Sequence, residues 1–296
     1  EKALEIGNGI LPTYLMYDAV KFERVLENGN PILNHYGLPK VRVLEFEAKA
    51  LPYFLESPAR SYKILPKDMV SKMHSLVKET ELYDKPLGIY RTSIDIDPES
   101  LEIGRIRAFT KGWLERESCF LHMTYKYLLG LLYSGLYDEF YNDFQTNLVC
   151  NMAPNVYGRS VLENSSFIAT SCNPDPNTHG KGFVSRLTGA NVEFLSMWQY
   201  MMFGKNVFKL VDGNLVAEFK PVLKGDMFDE NNEVSAMFMS KTRITYKNEK
   251  RKDTYKDCSV TKMIVDGEEI NSSQLSGEMV LRLREGSYKN ITIILE

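Results

Sequence analysis

Apolar residues recur at helical spacing in four segments of the chain, 67–78, 114–132, 137–149 and 187–203. The segment 114–132 has the clearest stripe, which consists of Leu114, Leu121, Tyr125, Leu128 and Leu132. A short connection at Ser134-Gly135 leads to the next segment, which predicts two antiparallel helices. The last segment stops at Gly204, and glycine commonly follows the final turn of a helix.

The first 62 residues have a less regular pattern. Their apolar residues favour helices at 14–26 and 41–62, the second interrupted at Pro52 and Pro58. Between them, Asn28-Gly-Asn-Pro31 is typical of a turn. Residues 1–204 are therefore predicted as one helical domain.

The pattern changes to short, alternating runs after Gly204. Asp212-Gly213 and Asp266-Gly267 are typical hairpin turns between such runs. The predicted strands are 206–210, 215–219, 234–239, 242–246, 260–265, 279–283 and 291–295. Residues 205–296 are therefore predicted to form a small antiparallel β-sandwich, and the fold class is α+β with more than one domain.

Composition and charge narrow the functional classes. The 296 residues are 44% hydrophobic and 25% charged, which excludes a mainly disordered chain. A formal net charge of -3 gives no field that would attract nucleic acid or an anionic membrane. Apolar runs are too short to span a membrane. The sequence begins at Glu1 without an initiator methionine, which predicts a piece of a longer polypeptide.

Cysteine spacing bears on metals and redox state. The four cysteines, Cys119, Cys150, Cys172 and Cys258, show no CxxC pattern. This favours reduced thiols in a cytoplasmic protein and argues against a zinc cluster.

Two elements could bind an anion. Glu115 and His122 are seven residues apart, so in a helix both would lie on one stripe, with Cys119 between them. Thr188 and Gly189 open the last predicted helix, where a hydroxyl and unpaired backbone N–H groups favour a bound phosphate. The plainer interpretations are a histidine paired with Glu115 and an ordinary helix cap by Thr188.

Polar residues in the loop between these elements could contact a sugar. Arg159 and Glu163 could bind hydroxyl groups, or form an ion pair across the loop. His179, beside Gly180, could approach a ligand or be solvated. A carboxylate pair for hydrolysis is also open, either Glu115 with Glu163 or Glu117 with Glu163.

The order of these motifs resembles the cellobiose/chitobiose phosphorylase family of inverting glycoside phosphorylases. The resemblance lies in Trp113-Leu-Glu115, Phe120-Leu-His122, the loop from His179 to Gly182, and Thr188-Gly-Ala190. In that family a Glu-Asn-Gly-Gly-Gln-Tyr-Thr-His stretch has the same spacing as Glu115 and His122. The similarity covers residues 85–210, and the β region loosely.

The resemblance implies a fold, a reaction and a site. The fold would be a partial (α/α)6 toroid of helical hairpins. The reaction would be phosphorolysis of a β-linked glucoside to a sugar 1-phosphate, with oligosaccharide and phosphate as the bound partners. His122, Thr188 and Gly189 would bind the phosphate co-substrate, and Glu115, Arg159, Glu163 and His179 the sugar. No metal or organic cofactor is implied.

The sequence also departs from the family. Arg116-Glu117-Ser118 replaces the family's Asn-Gly-Gly, and no residue matches its catalytic Asp. The acid is therefore expected in a missing N-terminal part of the same polypeptide, which leaves the catalytic residue unknown and this fragment inactive by itself. The open edge of a half-ring predicts association, as in a homodimer. The alternatives are a non-catalytic carbohydrate-binding or assembly module, and a toroidal hydrolase or lyase using Glu115 and Glu163.

Overall fold

The computed structural model describes residues 1–184 and 189–296 and has a mixed α+β fold. The chain divides into two compact units, 1–191 and 192–296. The division falls inside the last long helix, thirteen residues before the predicted boundary at Gly204. The strands found after residue 204 all belong to the second unit.

The first unit holds most of the helices and several small antiparallel sheets. The helices that begin in it are α1 Lys2–Ile6, α2 Glu56–Ser61, α3 Lys67–Glu79, α4 Leu121–Ser134, α5 Tyr137–Asn147, α6 Pro154–Tyr157 and α7 Gly189–Phe203. Its strands are β1 Leu15–Arg24, β2 Leu26–Glu27, β3 Asn30–Pro31, β4 Val41–Ala50, β5 Tyr83–Asp84, β6 Ile89–Tyr90, β7 Cys119–Phe120, β8 Phe167–Ile168 and β9 Gly182–Phe183.

The predicted helix at 14–26 and the first half of the one at 41–62 are wrong, because these residues form a β ribbon, whereas Glu56–Ser61 within the second segment is helical as predicted. Strands β1 and β4 pair antiparallel, with Tyr17 opposite Ala48 and Phe22 opposite Val43. Asn28 and Gly29 both have positive φ, 51° and 80°, as the tight turns of hairpins require. The apolar residues of these segments fit the spacing of a helix as well as that of a strand, so the pattern alone did not decide between them. The β-branched and aromatic residues favour the strand.

Helices α2 to α5 form the core of the first unit. Helix α4 has ten buried residues in its 14 and packs against α2, α3 and α5. Gly130 allows the close approach of α2, because a Cβ there would lie 2.8 Å from Tyr62 Cβ. Gly135, with φ 77°, ends α4, and α5 starts two residues later as predicted.

The start of α4 corrects the predicted helix 114–132. The helix begins at Leu121, and the preceding residues form a turn and strand β7. Leu114 and Glu117 have φ values of 51° and 53°, in the left-handed region that a helix cannot contain. Glu115 is therefore not on a helix with His122.

A buried polar network joins α3, α4 and α5. His74 Nδ1 lies 2.7 Å from the hydroxyl of Tyr127, and Tyr90 donates to Asp143 Oδ2 at 2.5 Å. Lys78 Nζ donates to Asp143 Oδ1 at 2.5 Å. His74 is thus a buried core residue.

This burial makes the stability of the first unit depend on pH. Burial is the main cause that lowers the pKa of His74 below 6.5; Lys78 lowers it further, whereas Asp143 and Glu139 act in the opposite direction. As the pH falls, His74 therefore binds a proton at a higher pH in the unfolded chain than in the folded protein. The free energy of unfolding decreases below about pH 6.5 for this reason. We expect His74→Gln to reduce the loss of melting temperature between about pH 7 and pH 5.5. His35→Gln, at an exposed position, should leave that loss unchanged; equal losses in all three proteins would contradict the prediction.

The second unit contains two sheets. Its elements are β10 Phe208–Val211, β11 Asn214–Glu218, β12 Glu233–Phe238, β13 Thr242–Lys247, β14 Val260–Val265, β15 Glu268–Ile270, β16 Gln274–Ser276, α8 Glu278–Glu285 and β17 Asn290–Leu295. The sheet orders are β10-β11-β16 and β12-β13-β17-β14-β15, and the pair β13–β17 is parallel. Phe208 and Phe238 contact each other between the two sheets, with ring centroids 5.9 Å apart.

One predicted strand of this unit, 279–283, is wrong. These residues lie in α8, where Val280 and Leu283 are buried one turn apart. Gly286, at φ 73°, provides the left-handed cap that ends the helix. The run was too short for its period to be decided from the sequence.

Within residues 1–184 and 189–296, none of the helices combines the length and the apolar character needed to cross a membrane.

Candidate functional site

The candidate site lies where two long helices begin. Strands β7, β8 and β9 form a three-stranded sheet, and α4 starts directly after β7. Leu121 N donates to Ser166 O at 3.0 Å, which fixes the first residue of α4 beside the segment before β8. His122 follows it, in the first turn of α4, and is half-buried.

His122 lies directly against the first residue of α7. A Cβ added to Gly189 would be 2.7 Å from His122 Nδ1 and 2.8 Å from Cγ. The imidazole therefore fills the space that any side chain at position 189 would need. The structure thus brings together two of the predicted site residues, His122 and Gly189, whereas Thr188 lies outside the described residues.

Both helix beginnings carry partial positive charge at this point. Helices α4 and α7 have 14 and 15 residues, and the first backbone N–H groups of each have no acceptor within their own helix. The macrodipole of each helix places a positive potential at the same end. An imidazole between two such ends can donate a hydrogen bond to an anion.

A chain of hydrogen bonds links the first turns of α4 and α7. Tyr125, one turn after His122, donates its hydroxyl to Asn164 Oδ1 at 2.8 Å. Asn164 Nδ2 then donates to Asn191 Oδ1 at 2.8 Å, in the first turn of α7. Sequence reasoning missed Asn164 and Asn191 as positioning residues. The only available signal was the position of Asn164 next to Glu163.

An aromatic column runs over the three-stranded sheet beside His122. Trp113 stacks on Phe183, with ring centroids 3.6 Å apart and 1° between the planes. Phe167 lies 5.5 Å from Phe183 and 4.7 Å from Phe120. Phe120 in turn meets the His122 ring edge-on at 5.8 Å. The column therefore joins a flat apolar surface to the imidazole.

Glu115 lies outside the stripe predicted for it. Its carboxylate accepts from Arg105 Nη2 at 3.0 Å, in the segment before the turn at Trp113–Arg116. Because Glu115 precedes β7, the predicted alignment of Glu115, Cys119 and His122 on one helix face is wrong.

The remaining predicted sugar contacts have partners within the chain. Arg159 Nη2 and Glu163 Oε1 form an ion pair at 3.1 Å. His179 Nε2 lies 2.8 Å from the backbone oxygen of Asn173, which closes the turn that contains Pro174 and Pro176. The ion pair agrees with the plainer interpretation of Arg159 and Glu163. His179 is half-buried and bonded within its loop, so the plainer interpretation of it as a solvated histidine is wrong.

Glu117, which the sequence analysis names as one member of a possible carboxylate pair, is a buried carboxyl group. It is 2% exposed, and burial is the main cause that raises its pKa; Cys172, within hydrogen-bonding contact, opposes this shift. Its charged neighbours, Lys111 Nζ and Arg116 Nε, are both at 3.8 Å. Lys111 also pairs with Asp95 at 2.9 Å and with Asp97 at 3.1 Å, so it links the segment 95–97 to Glu117.

The described residues contain no group of three His, Cys, Asp or Glu side chains that could hold a metal ion. In the comparisons with known proteins, no family model matches the chain, and no curated protein matches it significantly.

Proposed function

We propose that the chain supplies the phosphate-binding side of an inverting glycoside phosphorylase that acts on β-linked glucosides. The observation that carries the proposal is the contact of His122 with Gly189, where α4 and α7 begin. Phosphate is the anion that such a site favours, because N–H donors, two dipole ends and an imidazole all interact with negative oxygen atoms.

The chemistry of phosphorolysis suits a site of this kind. Phosphate attacks the anomeric carbon, the glycosidic C–O bond breaks, and a general acid protonates the departing oxygen. The phosphate is itself the nucleophile, so the residues around it need to orient it and balance its charge. Among the described residues, His122 and the N–H groups after Gly189 would have this role, and the general acid stays unassigned.

The sugar would bind beside the phosphate, on the aromatic column. The rings of Phe120 and Phe183 are half-buried and offer flat apolar surface. Phe120 contacts His122, so a sugar on the column would present its anomeric carbon near the bound anion. Arg159 and Glu163 remain candidates for contacts to its hydroxyl groups.

The finer description of the fold is part of the same proposal. We propose that the antiparallel pair α4–α5, together with α3 and α7, belongs to an (α/α)6 toroid of helical hairpins. In support, α4 and α5 are joined by a two-residue connection and pack against each other. The sheets of the second unit would correspond to the β-sandwich that follows the toroid.

The proposal predicts that inorganic phosphate stabilises the protein through His122. Binding to the native state raises the unfolding free energy by RT ln(1 + [L]/Kd), or about 2.7 kcal/mol at a hundredfold excess over Kd. Removing one hydrogen bond to a charged group costs about 1.5–3 kcal/mol, so His122→Ala should raise the half-maximal phosphate concentration about tenfold to hundredfold. The measurement is thermal unfolding at constant ionic strength, with phosphate replacing chloride.

The matched control is His35→Ala, which removes an exposed imidazole from the β ribbon. It should respond to phosphate as the wild type does. Equal stabilisation of the wild type and His122→Ala would contradict the proposal. Stabilisation by an oligosaccharide without any effect of phosphate would instead favour a carbohydrate-binding module. Cleavage of a glycosidic bond in phosphate-free buffer would favour a hydrolase.

A further inference from the structure

The first unit contains an apolar groove that the proposed function does not use. Three stretches that are distant in the sequence form it: the start of β1, the segment between β4 and α2, and the short 3-10 helices Leu101–Ile103 and Arg105–Ala108. Its apolar lining residues are Met16, Leu51, Phe54, Ile103 and Ile106. The volume of the groove is about 540 Å³. Small-molecule sites commonly have about 300–1,000 Å³ and a mainly apolar lining, so the groove suits the apolar part of a small ligand.

Backbone contacts hold the walls of this groove in place. Leu51 N donates to Tyr14 O at 3.0 Å, which joins the residue after β4 to the residue before β1. Phe54 forms an antiparallel β-bridge with Ser93. Because these contacts already fix the walls, a ligand need not order them, and the entropic cost of binding is reduced.

A second, more polar cavity adjoins the groove. The two spaces share Thr13, Tyr14 and Glu56. The second cavity has a volume of about 450 Å³, and Ser57 and Arg60 of α2 line it. The combined site is therefore apolar at one end and polar at the other, which fits an amphiphile with its tail in the groove and its head beside α2.

The charges at the polar end indicate the chemistry of the head. Arg60 Nε donates to Glu56 Oε1 at 2.8 Å, and Arg60 Nη2 lies 2.7 Å from the same oxygen. The pair carries no net charge, so a charged head would gain little attraction in return for its lost hydration. A carboxylate accepts about four hydrogen bonds and a guanidinium donates five, so the pair keeps acceptors and donors for a ligand. Hydroxyl groups match both, because each can donate and accept.

We propose that this site binds a soluble, uncharged amphiphile with a polyhydroxylated head, namely a glycoside with an apolar aglycone. The aglycone lies in the groove, and the hydroxyl groups of the sugar bond to Glu56 and Arg60. Tyr14, 68% exposed and common to both spaces, offers a flat apolar face to the sugar ring. The proposal does not depend on the proposed function, because its residues are separate from His122 and Gly189.

The first test is isothermal titration calorimetry with n-octyl β-D-glucoside, kept below its critical micelle concentration. We expect saturable binding, and Ile103→Asn should weaken it at least about tenfold, because the amide removes apolar surface from the groove. The matched control is Leu101→Asn in the same short helix. Leu101 is 75% exposed and is not part of the lining, so this change should leave the affinity unaltered. Methyl β-D-glucoside, which has the head without the tail, should not bind measurably.

The second test changes the charge of the polar end. Octanoate and octyltrimethylammonium have similar tails and oppositely charged heads, and the wild type should bind both more weakly than the glucoside. Arg60→Ala leaves Glu56 unpaired and should strengthen binding of the cationic amphiphile about threefold, the scale of an exposed ion pair. Glu56→Ala should strengthen binding of octanoate to a similar extent. Both substitutions should weaken binding of the glucoside.

NMR of the isoleucine methyl groups locates the bound ligand. We expect nuclear Overhauser effects between the octyl chain and the methyl groups of Ile103 and Ile106. Four results would each overturn the proposal: no binding, equal weakening by Ile103→Asn and Leu101→Asn, an unchanged preference between the charged amphiphiles in Arg60→Ala and Glu56→Ala, or contacts of the octyl chain with the β ribbon alone.

The same signals test whether a second copy of the chain fills the groove. A shift of the Ile103 methyl signals with protein concentration, in the absence of glucoside, would indicate such a copy and would contradict the proposal. Circular dichroism verifies that each variant is folded. If Ile103→Asn does not fold, Ile106→Asn takes its place, with the same expected weakening.

Discussion

Asp143→Asn is expected to destabilise the first unit by about 3 kcal/mol. The carboxylate of Asp143 is buried and accepts from both Lys78 and Tyr90 at 2.5 Å. An amide keeps the shape but removes the negative charge, so the ammonium group of Lys78 loses its counter-ion. Breaking a buried ion pair from one side costs about 3–5 kcal/mol, and the partial exposure of Lys78 favours the lower value.

Urea unfolding of a Trp198→Phe background measures this effect, because Trp113 is then the single tryptophan and lies in the first unit. The matched control is Asp138→Asn in the first turn of the same helix, at an exposed position. That change removes a negative charge at the beginning of the helix, where the interaction with the helix dipole is worth about 0.3–1 kcal/mol. If the two variants lose the same stability, the buried network does not have the role assigned to it.

Gly182→Val is expected to cost about 3 kcal/mol and to disturb the aromatic column. A Cβ at position 182 would lie 2.7 Å from Ser165 Oγ and would overlap the ring of Tyr157. The Tyr157 hydroxyl donates to Glu163 O at 2.8 Å and accepts from Ser165 N at 2.7 Å, so the ring cannot turn aside without loss of both bonds. Overpacking of a closed site typically costs about 1–3 kcal/mol.

The same tryptophan background reports this change directly, since Trp113 stacks on Phe183, the neighbour of Gly182. We expect an altered near-ultraviolet circular dichroism spectrum together with a lower unfolding midpoint. Lys181→Ala, at the exposed neighbouring position, should stay within about 0.5 kcal/mol of the wild type. A fully stable Gly182→Val with an unchanged spectrum would show that the loop is looser than the structure describes.

Much of the helical core could be predicted from the sequence, for a physical reason. Helices α3 and α5 have strong apolar periodicity, and α4 and α7 end at Gly135 and Gly204. In these helices the periodicity and the terminal glycines indicate the same elements that the tertiary packing stabilises. The start of α4 could not be predicted, because Leu114 and Glu117 adopt left-handed conformations without a glycine to indicate them. The β ribbon of β1 and β4 was missed because its apolar residues fit either spacing.

The candidate site was predictable only in part. His122 could be identified by residue type and Gly189 by its position at a helix start. Their contact depends on how α4 and α7 are held together by Asn164 and Asn191, which no local pattern encodes. The predicted pairing of Glu115 with His122 failed because it assumed one continuous helix.

The central claim is that phosphate binds where His122 meets the beginning of α7, and imidazole NMR tests it most directly. The chain has four histidines, so each imidazole ¹⁵N signal can be assigned by substitution. The account predicts that the signals absent from His122→Ala shift saturably with inorganic phosphate, while those of His35, His74 and His179 do not. If the His122 signals remain unchanged at phosphate concentrations that move others, or if no signal shifts, the account is contradicted.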